Sequence, residues 1–278
     1  MDKCPLIDIL LPVFNGSKYL RQQLDSLLNQ SYKNIRVIIR DDLSSDDSRN
    51  LIKNYAENTD GKIVYIDSDK NLGSSLSFHE LLKQSTADYV MFCDQDDVWL
   101  PNKVHDSFTA ITNANLFCNN IRCVFTDLVI VDEALNELHR SMRGALKFKA
   151  VSDDYRNYLC QSQITGCTMI LNRPAVELLK KFPPPNRHII HDHWYSVIVS
   201  IYGEVRYLDK PTILYRQHFN NQVGFKNINL NYFIQKIKAI FKIYHYDMGI
   251  NYALPKEYQI GTMQWFIRKV RLNLERIN

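Results

Sequence analysis

Short apolar runs alternate with segments whose apolar residues recur every three or four positions through the first 113 residues. Such runs are typical of strands buried on both faces of a sheet, and the spaced segments are typical of amphipathic helices. The predicted strands are 7–13, 35–39, 63–66 and 89–93, each followed by a predicted helix. This alternation favours a mostly parallel, doubly wound α/β sheet with right-handed crossovers.

The pattern changes beyond Asn113. The predicted strands there are 124–131, 164–171, 205–208 and 212–215, with an irregular stretch at 141–158 and a helix from His191 to about Tyr202. From Asn227 onward two helices are predicted, separated near Leu254 and Pro255. We therefore expect a smaller second sheet and a C-terminal helical appendage.

Composition indicates a globular protein of a reducing compartment. The 278 residues are 45% hydrophobic and 23% charged, and no apolar run approaches the roughly 20 residues that span a bilayer. The N-terminus lacks a signal-peptide pattern. The six cysteines show no CxxC spacing, and Cys93 and Cys167 lie in apolar runs as expected of buried free thiols. We expect a cytoplasmic protein.

The net charge of +4 is unevenly distributed. From Lys226 to the end, nine Lys/Arg face three acids, a local +6, which leaves −2 for residues 1–225. One apolar stripe in this tail comprises Phe233, Ile237, Ile240, Phe241 and Tyr244. Two interpretations stay open: the stripe packs on the rest of the protein, or it lies on an anionic lipid surface as a peripheral membrane contact. No nucleic-acid recognition motif accompanies the charge.

Three carboxylates follow the strand 89–93 immediately, at Asp94, Asp96 and Asp97. In open α/β sheets ligands bind at the carboxyl ends of the strands. Neighbouring carboxylates repel one another, whereas a hard divalent cation binds them together with substrate phosphates. The alternative is a solvated acidic turn that caps the helix after Pro101. Neither GxGxxG nor GxxxxGK[ST] occurs, so the sequence supports neither a dinucleotide fold nor a P-loop.

Seven motifs in one order resemble the family 2 inverting glycosyltransferases, which have the GT-A fold. They are Leu11-Pro12-Val13-Phe14-Asn15, Asp41-Asp42, Asn71-Leu72-Gly73, Asp94-Gln95-Asp96-Asp97, Gly166-Cys167, His191-Asp192-His193-Trp194 and Tyr215-Arg216-Gln217-His218. The Asp-Gln-Asp-Asp-Val-Trp, His-Asp-x-Trp and Tyr-Arg-Gln-His forms are most similar to the bacterial rhamnosyltransferase-like subgroup. That subgroup builds O-antigen, capsule or other surface polysaccharides.

The resemblance implies a domain organisation. A GT-A domain at 1–224 would divide into a nucleotide-binding half, 1–113, and an acceptor-binding half, 114–224, with a basic helical region at 225–278. The second, smaller sheet would then lie on the acceptor side.

The resemblance also implies a donor site. The nucleotide-sugar-binding positions would be Pro12, Phe14, Asn15, Asp42, Asn71, Gly73, Asp94 and Gln95. Phe14 would stack on a pyrimidine base, unless it is a core residue at a strand end, and Asp42 would accept a hydrogen bond from the base. The divalent metal, Mg²⁺ or Mn²⁺, would be held by Asp94, Asp96 and His218, while Asp97 could be only an acid at a helix start.

Asp192 matches the catalytic base of the family. Inverting transfer needs a carboxylate that takes the proton of the acceptor hydroxyl as this attacks the anomeric carbon. The alternative role is a helix N-cap, and a helix N-terminus would hold the pKa of Asp192 low. The acceptor-binding positions would be Gly166, Cys167, His191, Trp194 and Arg216. Trp194 could be a sugar platform or a core residue.

The expected activity is transfer of a single sugar, with inversion, from dTDP-L-rhamnose or a UDP-hexose to a saccharide on a polyprenyl lipid, at the inner face of the cell membrane. The Gln-x-x-Arg-Trp signature and membrane helices of processive synthases are absent from the sequence. Two alternatives are a sugar-phosphate nucleotidyltransferase, disfavoured because its Gly-rich phosphate loop is missing, and a non-catalytic nucleotide-sugar-binding subunit that would not need Asp192.

Overall fold

A single mixed β-sheet organises the residues that the computed structural model describes, which are 4–148, 151–219 and 235–276. The strands are β1 Ile7–Val13, β2 Ile35–Asp41, β3 Ile63–Ile66, β4 Tyr89–Phe92, β5 Val98–Trp99, β6 Arg122–Val131, β7 Glu137–His139, β8 Met169–Asn172 and β9 Glu204–Arg216. Their spatial order is β3-β2-β1-β4-β8-β6-β9-β5, and β7 pairs with β6 outside this path.

Ten α-helices in the described ranges surround the sheet. They are α1 Ser17–Leu28, α2 Ser48–Glu57, α3 Ser74–Gln84, α4 Lys103–Thr112, α5 Met142–Ala145, α6 Tyr155–Cys160, α7 Arg173–Lys180, α8 His191–Tyr202, α9 Ile240–Ala253 and α10 Thr262–Leu274. Residues 235–238 are also helical. The short helices α5 and α6 lie in the stretch predicted to be irregular.

The parallel half of the sheet brings three loops to one edge. Strand β1 pairs in parallel with β2 and with β4, and its Ile7 is aligned with Ile35 and Tyr89. The chain therefore leaves all three strands in the same direction, into the segments that begin at Phe14, Asp42 and Cys93. This edge is where a doubly wound sheet binds ligands.

The second half of the sheet differs in detail from the predicted strands. The two strands predicted at 205–208 and 212–215 form one strand, β9, whose pairing with β6 shifts register near Asp127. Of the strand predicted at 164–171 only Met169–Asn172 is extended, because Gly166–Thr168 forms a 3-10 turn. Strand β8 pairs antiparallel with both β4 and β6, so the expected acceptor-side strands continue the same sheet.

Two buried apolar clusters cover the two faces of the sheet. One contains Leu24 of α1, Ile52 of α2 and Val104 of α4, and the other contains Leu81 of α3 and Val197 of α8. Helices on both faces make the predicted α/β fold class correct.

The C-terminal helices pack on the second cluster through one side only. Ile240 and Tyr244 of the predicted tail stripe are partly buried against that cluster. Ile237 and Phe241 are instead exposed, at 71% and 77%. Phe233 lies outside the described residues. None of the helices in the described part of the chain is long and apolar enough to cross a bilayer.

Candidate active site

A cleft of about 840 Å³ opens at the carboxyl edge of the parallel strands. Its walls include Phe14 and Asp42 from the first half of the chain, Asp94 and Asp96 from the β4–β5 connection, and Asp192 from α8. The carboxylates expected on the metal side and the acid expected on the acceptor side therefore share one cavity.

The first end of the cleft is built around Asp42. Its two carboxylate oxygens accept hydrogen bonds from the backbone N–H of Leu72, at 2.8 Å, and of Gly73, at 2.7 Å. The guanidinium of Arg40 donates to the same carboxylate. Asp42 thus connects the 71–73 loop to the end of β2. It is also one of the residues that line the cleft.

Phe14 is the exposed aromatic ring at this end, with 48% of its surface accessible. A core residue at a strand end would be covered, so this exposure favours the expected stacking role over the alternative. Pro12, Asn71 and Gly73 also line the cleft.

Gln95 and Asn15 act on the backbone of neighbouring segments. The Gln95 amide accepts from the Phe14 N–H at 2.8 Å and donates to the Phe14 carbonyl at 3.1 Å, so it holds that residue in place. The Asn15 side chain accepts from the Ser45 N–H at 2.8 Å and is not part of the cleft wall. The structure therefore shows Asn15 supporting the 44–45 loop, and its direct contact with the nucleotide stays a prediction.

The three carboxylates of the β4–β5 connection lie in different environments. Burial, followed by the charges of Asp96 and Asp192, raises the pKa of Asp94 to about 7. Asp97 is fully buried, accepts from the Arg216 N–H at 3.1 Å through Oδ1, and has no partner for Oδ2 among the described residues. Its pKa is raised, first by burial and then by the other two carboxylates. These buried, neighbouring carboxyl groups therefore bind protons more readily than ordinary aspartates, and a bound cation would relieve their mutual repulsion.

The donor set fits a hard divalent cation. One ligand atom each from Asp94, Asp97 and Cys167 lie within 4.8 Å of one another, and Asp96 Oδ2 contacts His218 Nε2 at 2.8 Å. Carboxylate oxygens suit Mg²⁺ or Mn²⁺. The Cys167 thiol, whose pKa is raised by burial, is a soft group and a poor match for these hard cations.

Asp192 occupies the first turn of α8 and reaches back to the 3-10 turn. Its Oδ2 accepts from the Gly166 N–H at 3.0 Å. Burial raises the pKa of Asp192 to about 6, against the lowering effect of backbone N–H groups. The expectation that the helix N-terminus would hold this pKa low is therefore wrong, because desolvation outweighs the helix effect. A carboxylate with this pKa is a suitable general base near neutral pH.

Gly166 and His191, two of the expected acceptor-binding residues, line the cleft together with Asp192. The His191 ring stacks on Phe78 at 3.9 Å between centroids, and neither ring nitrogen has a hydrogen-bond partner in the part of the chain that is described. Burial lowers the pKa of His191 to about 3, so the ring is neutral at physiological pH.

Three other expected acceptor residues do not reach the cleft. Trp194 is 2% exposed in the core, and its Nε1–H donates to the Phe182 carbonyl at 2.8 Å. Cys167 is buried behind Asp94. Arg216 is buried and donates to the Asp96 carbonyl at 2.8 Å, which fixes the carboxylate loop. These positions correct the expectation of direct acceptor contacts, since each side chain is enclosed by protein.

Some residues that line the cleft belong to none of the seven sequence motifs. Arg187 lies within 3.4 Å of Asn71 Oδ1, and Asp127 and Arg143 also line the cleft. Asp127 follows the register shift in β6, and Arg187 stands alone in a loop. Only the fold brings them to the cleft, so pattern and spacing gave no signal for them.

Comparisons with known proteins agree with this geometry. The family model described as "Glycosyl transferase family 2" matches residues 8–179. The chain is 27% identical to the dTDP-rhamnosyl transferase RfbG of Shigella flexneri, over 91% of this chain and 90% of that protein.

Two solved structures share the fold. Staphylococcus aureus TarS 1–349 in complex with UDP-GlcNAc has a TM-score of 0.66 at 14% identity, covering 98% of this chain and 72% of that one. The mannosyltransferase PcManGT of Pyrobaculum calidifontis, in complex with GDP-Man and Mn²⁺, has a TM-score of 0.55 at 13% identity, covering 97% and 75%.

Proposed function

The chain belongs to glycosyl transferase family 2, and from this premise we propose that it transfers one sugar from a nucleoside-diphosphate sugar to a saccharide acceptor with inversion at the anomeric carbon. Domain 1–224 would be catalytic, with its nucleotide-binding half at 1–113 and its acceptor-binding half at 114–224. Residues 225–278 would be an appendage to it.

The proposed donor is dTDP-L-rhamnose, with UDP-hexoses as the next candidates. The relative at 27% identity over 91% of this chain is named a dTDP-rhamnosyl transferase, which supports this order. The exposed ring of Phe14 and the carboxylate of Asp42, both at one end of the cleft, suit a pyrimidine base through stacking and hydrogen bonding.

One observation carries the proposed mechanism: Asp192 and the carboxylates of Asp94 and Asp96 line the same cleft. Asp192 would take the proton of the acceptor hydroxyl as its oxygen bonds to the anomeric carbon and the bond from that carbon to the diphosphate breaks. The Gly166 N–H holds one oxygen of Asp192, so the carboxylate is oriented before the acceptor arrives. Neutral His191, packed beside it, adds no positive charge that would weaken the base.

The proposed metal ligands are Asp94, Asp96 and His218. When bound, the divalent cation would neutralise charge on the departing diphosphate as a Lewis acid. Arg216 would support the metal site without binding the metal. Its guanidinium donates to the Asp96 carbonyl, and its backbone N–H donates to the Asp97 carboxylate.

The proposed acceptor is a saccharide on a polyprenyl lipid, in the assembly of a bacterial surface polysaccharide such as O-antigen or capsule. The enzyme would then work at the inner face of the cell membrane. The subgroup motifs Asp-Gln-Asp-Asp-Val-Trp and Tyr-Arg-Gln-His, ending at Trp99 and His218, support this proposal.

A donor panel tests the proposal. The protein with Mn²⁺ is titrated with dTDP-L-rhamnose, UDP-hexoses, GDP-mannose and the free diphosphates, and its melting temperature is measured. We expect the largest stabilisation from dTDP-L-rhamnose, since a ligand that binds only the native state raises its stability. NMR of the product from the best donor should then show the inverted anomeric configuration. Stabilisation by no nucleotide sugar, or a product with retained configuration, would refute the proposal.

A further inference from the structure

The outward face of α10 is apolar along its whole length. Its exposed side chains are spaced three or four positions apart, and they are Met263, Phe266, Ile267, Val270 and Leu274. This spacing places them on one side of the helix, opposite the buried Trp265, Lys269 and Leu272. A single exposed apolar residue is ordinary on a protein surface, but a continuous row indicates a contact.

The 235–244 segment extends this row. The Lys236 ammonium contacts Asn273 Oδ1 at 3.3 Å, and the Tyr244 hydroxyl contacts Thr262 Oγ1 at 2.9 Å, so the segment runs antiparallel beside α10. Its exposed apolar residues, Ile237 and Phe241, add to the same region. We call the seven side chains on α10 and this segment the apolar face.

The surroundings of the apolar face are basic. Residues 235–276 carry eight Lys/Arg and three Asp/Glu, a net +5. Lys238, Lys242 and Arg271 are exposed on the two helices that form the face. Apolar side chains flanked by Lys and Arg suit the headgroup region of an anionic bilayer. A second copy of the chain would instead bring two basic surfaces together, which is unfavourable.

The same helices also form one end of the cleft. Lys236, Lys269 and Arg276 line the cavity, whereas none of the seven side chains of the apolar face does. The Tyr246 hydroxyl of α9 also lines the cleft and accepts from the Ile190 N–H at 3.1 Å, two residues before Asp192. A bilayer that binds the apolar face would therefore contact helices that also line the cleft beside the proposed base.

We propose that the apolar face docks the protein on membranes rich in anionic lipid and presents the acceptor end of the cleft to the bilayer. The docking surface is thus α10 together with Ile237 and Phe241, and it excludes Ile240 and Tyr244 of the stripe predicted from the sequence. The presentation of a lipid-linked acceptor rests on the proposed function, whereas membrane docking itself does not.

Vesicle flotation of the full chain tests the docking. We expect binding to vesicles that contain phosphatidylglycerol, little binding to pure phosphatidylcholine, and weakening at high salt because the Debye length shortens. The double variant Phe266→Ser, Ile267→Ser should bind at least about tenfold more weakly. The double variant Lys238→Gln, Lys242→Gln should lose about fivefold per lysine.

The matched control is Leu138→Ser, because Leu138 on β7 is 51% exposed, as Phe266 is at 52%. It should bind vesicles like the unaltered protein, and circular dichroism should show all variants folded. Equal binding by the Phe266, Ile267 variant, or no binding of the unaltered protein to anionic vesicles, would overturn the proposal. The proposal would also be overturned if light scattering showed that the unaltered protein is a dimer and that only the Phe266, Ile267 variant dissociates it. Vesicle binding without any sugar transfer would refute the proposed function and leave the docking intact.

Discussion

The backbone N–H of Gly166 donates to Oδ2 of Asp192 over 3.0 Å, joining the turn before β8 to the first turn of α8. These residues are 26 positions apart in the chain. The contact fixes the direction of the partly buried carboxylate at the wall of the cleft. Residue 166 must also be small, because the side chains of His191 and Asp192 lie close to this position.

Replacing Asp192 by Asn should lower kcat by roughly 10²–10⁴, the usual loss when a general base is removed. An amide cannot take the proton of the acceptor hydroxyl, but its oxygen can still accept from the Gly166 N–H. Calorimetry should therefore show unchanged donor and metal binding. Asp153→Asn, at an 87% exposed side chain, is the control and should keep full turnover. Unchanged kcat in Asp192→Asn would reject the assigned base.

The pH dependence of transfer should show an acid limb near pH 6. Burial raises the pKa of Asp192 to about 6, so the carboxylate becomes protonated, and inactive as a base, as the pH falls through that value. The measurement is kcat/KM from pH 5 to 8 with saturating Mn²⁺, which keeps the metal-side carboxylates ionised. The residual activity of Asp192→Asn should lack this limb. An identical limb in that variant would assign the titration to another group.

Replacing Asp96 by Ala should abolish the rise in melting temperature that Mn²⁺ produces with a bound donor. The carboxylate oxygen nearest His218 Nε2, at 2.8 Å, is lost, and the remaining site has fewer hard oxygen ligands. Differential scanning fluorimetry with and without Mn²⁺ measures the effect. Asp106→Asn, at a carboxylate on α4 outside the cleft, should respond to Mn²⁺ like the unaltered protein. A full response from Asp96→Ala would remove the metal role.

Replacing Gly166 by Ala should lower kcat by about 10- to 100-fold, the scale expected when a catalytic group is displaced by a fraction of an ångström to one ångström. The added Cβ would lie 2.5 Å from His191 Nε2 and 3.3 Å from Asp192 Cβ, so both side chains must move. Gly249→Ala is the matched control, because its Cβ meets only Ile189 Cδ1 at an ordinary 3.8 Å. Steady-state kinetics compare the two. Equal kcat for both variants would show that the position of Asp192 does not limit turnover.

Replacing Trp194 by Phe should destabilise the fold and leave the acceptor KM unchanged. The Phe182 carbonyl loses its donor at 2.8 Å inside the core, which costs about 1–3 kcal/mol of unfolding free energy. Urea denaturation measures that cost and acceptor titrations measure KM. A raised KM at unchanged stability would restore the sugar-platform role that the buried position argues against.

The sequence by itself determined the parallel half of the fold and supplied the candidate site residues. Apolar runs and helical spacing depend on local periodicity, so they located β1 to β4 and the acids after β4 without knowledge of the fold. The resemblance carried by Asp42, Asp96 and Asp192 identified the residues that the cleft brings together.

Only the tertiary structure decided burial, and burial decided what each of these groups can do. Trp194 and Arg216 belong to motifs, yet one lies in the core and the other holds a loop, because motif membership does not specify which side chain faces the cavity. The pKa of Asp192 is raised although it lies at a helix start, because desolvation depends on everything packed around the carboxylate. Arg187 contacts Asn71 from 116 positions away in the chain, a proximity that no local pattern encodes.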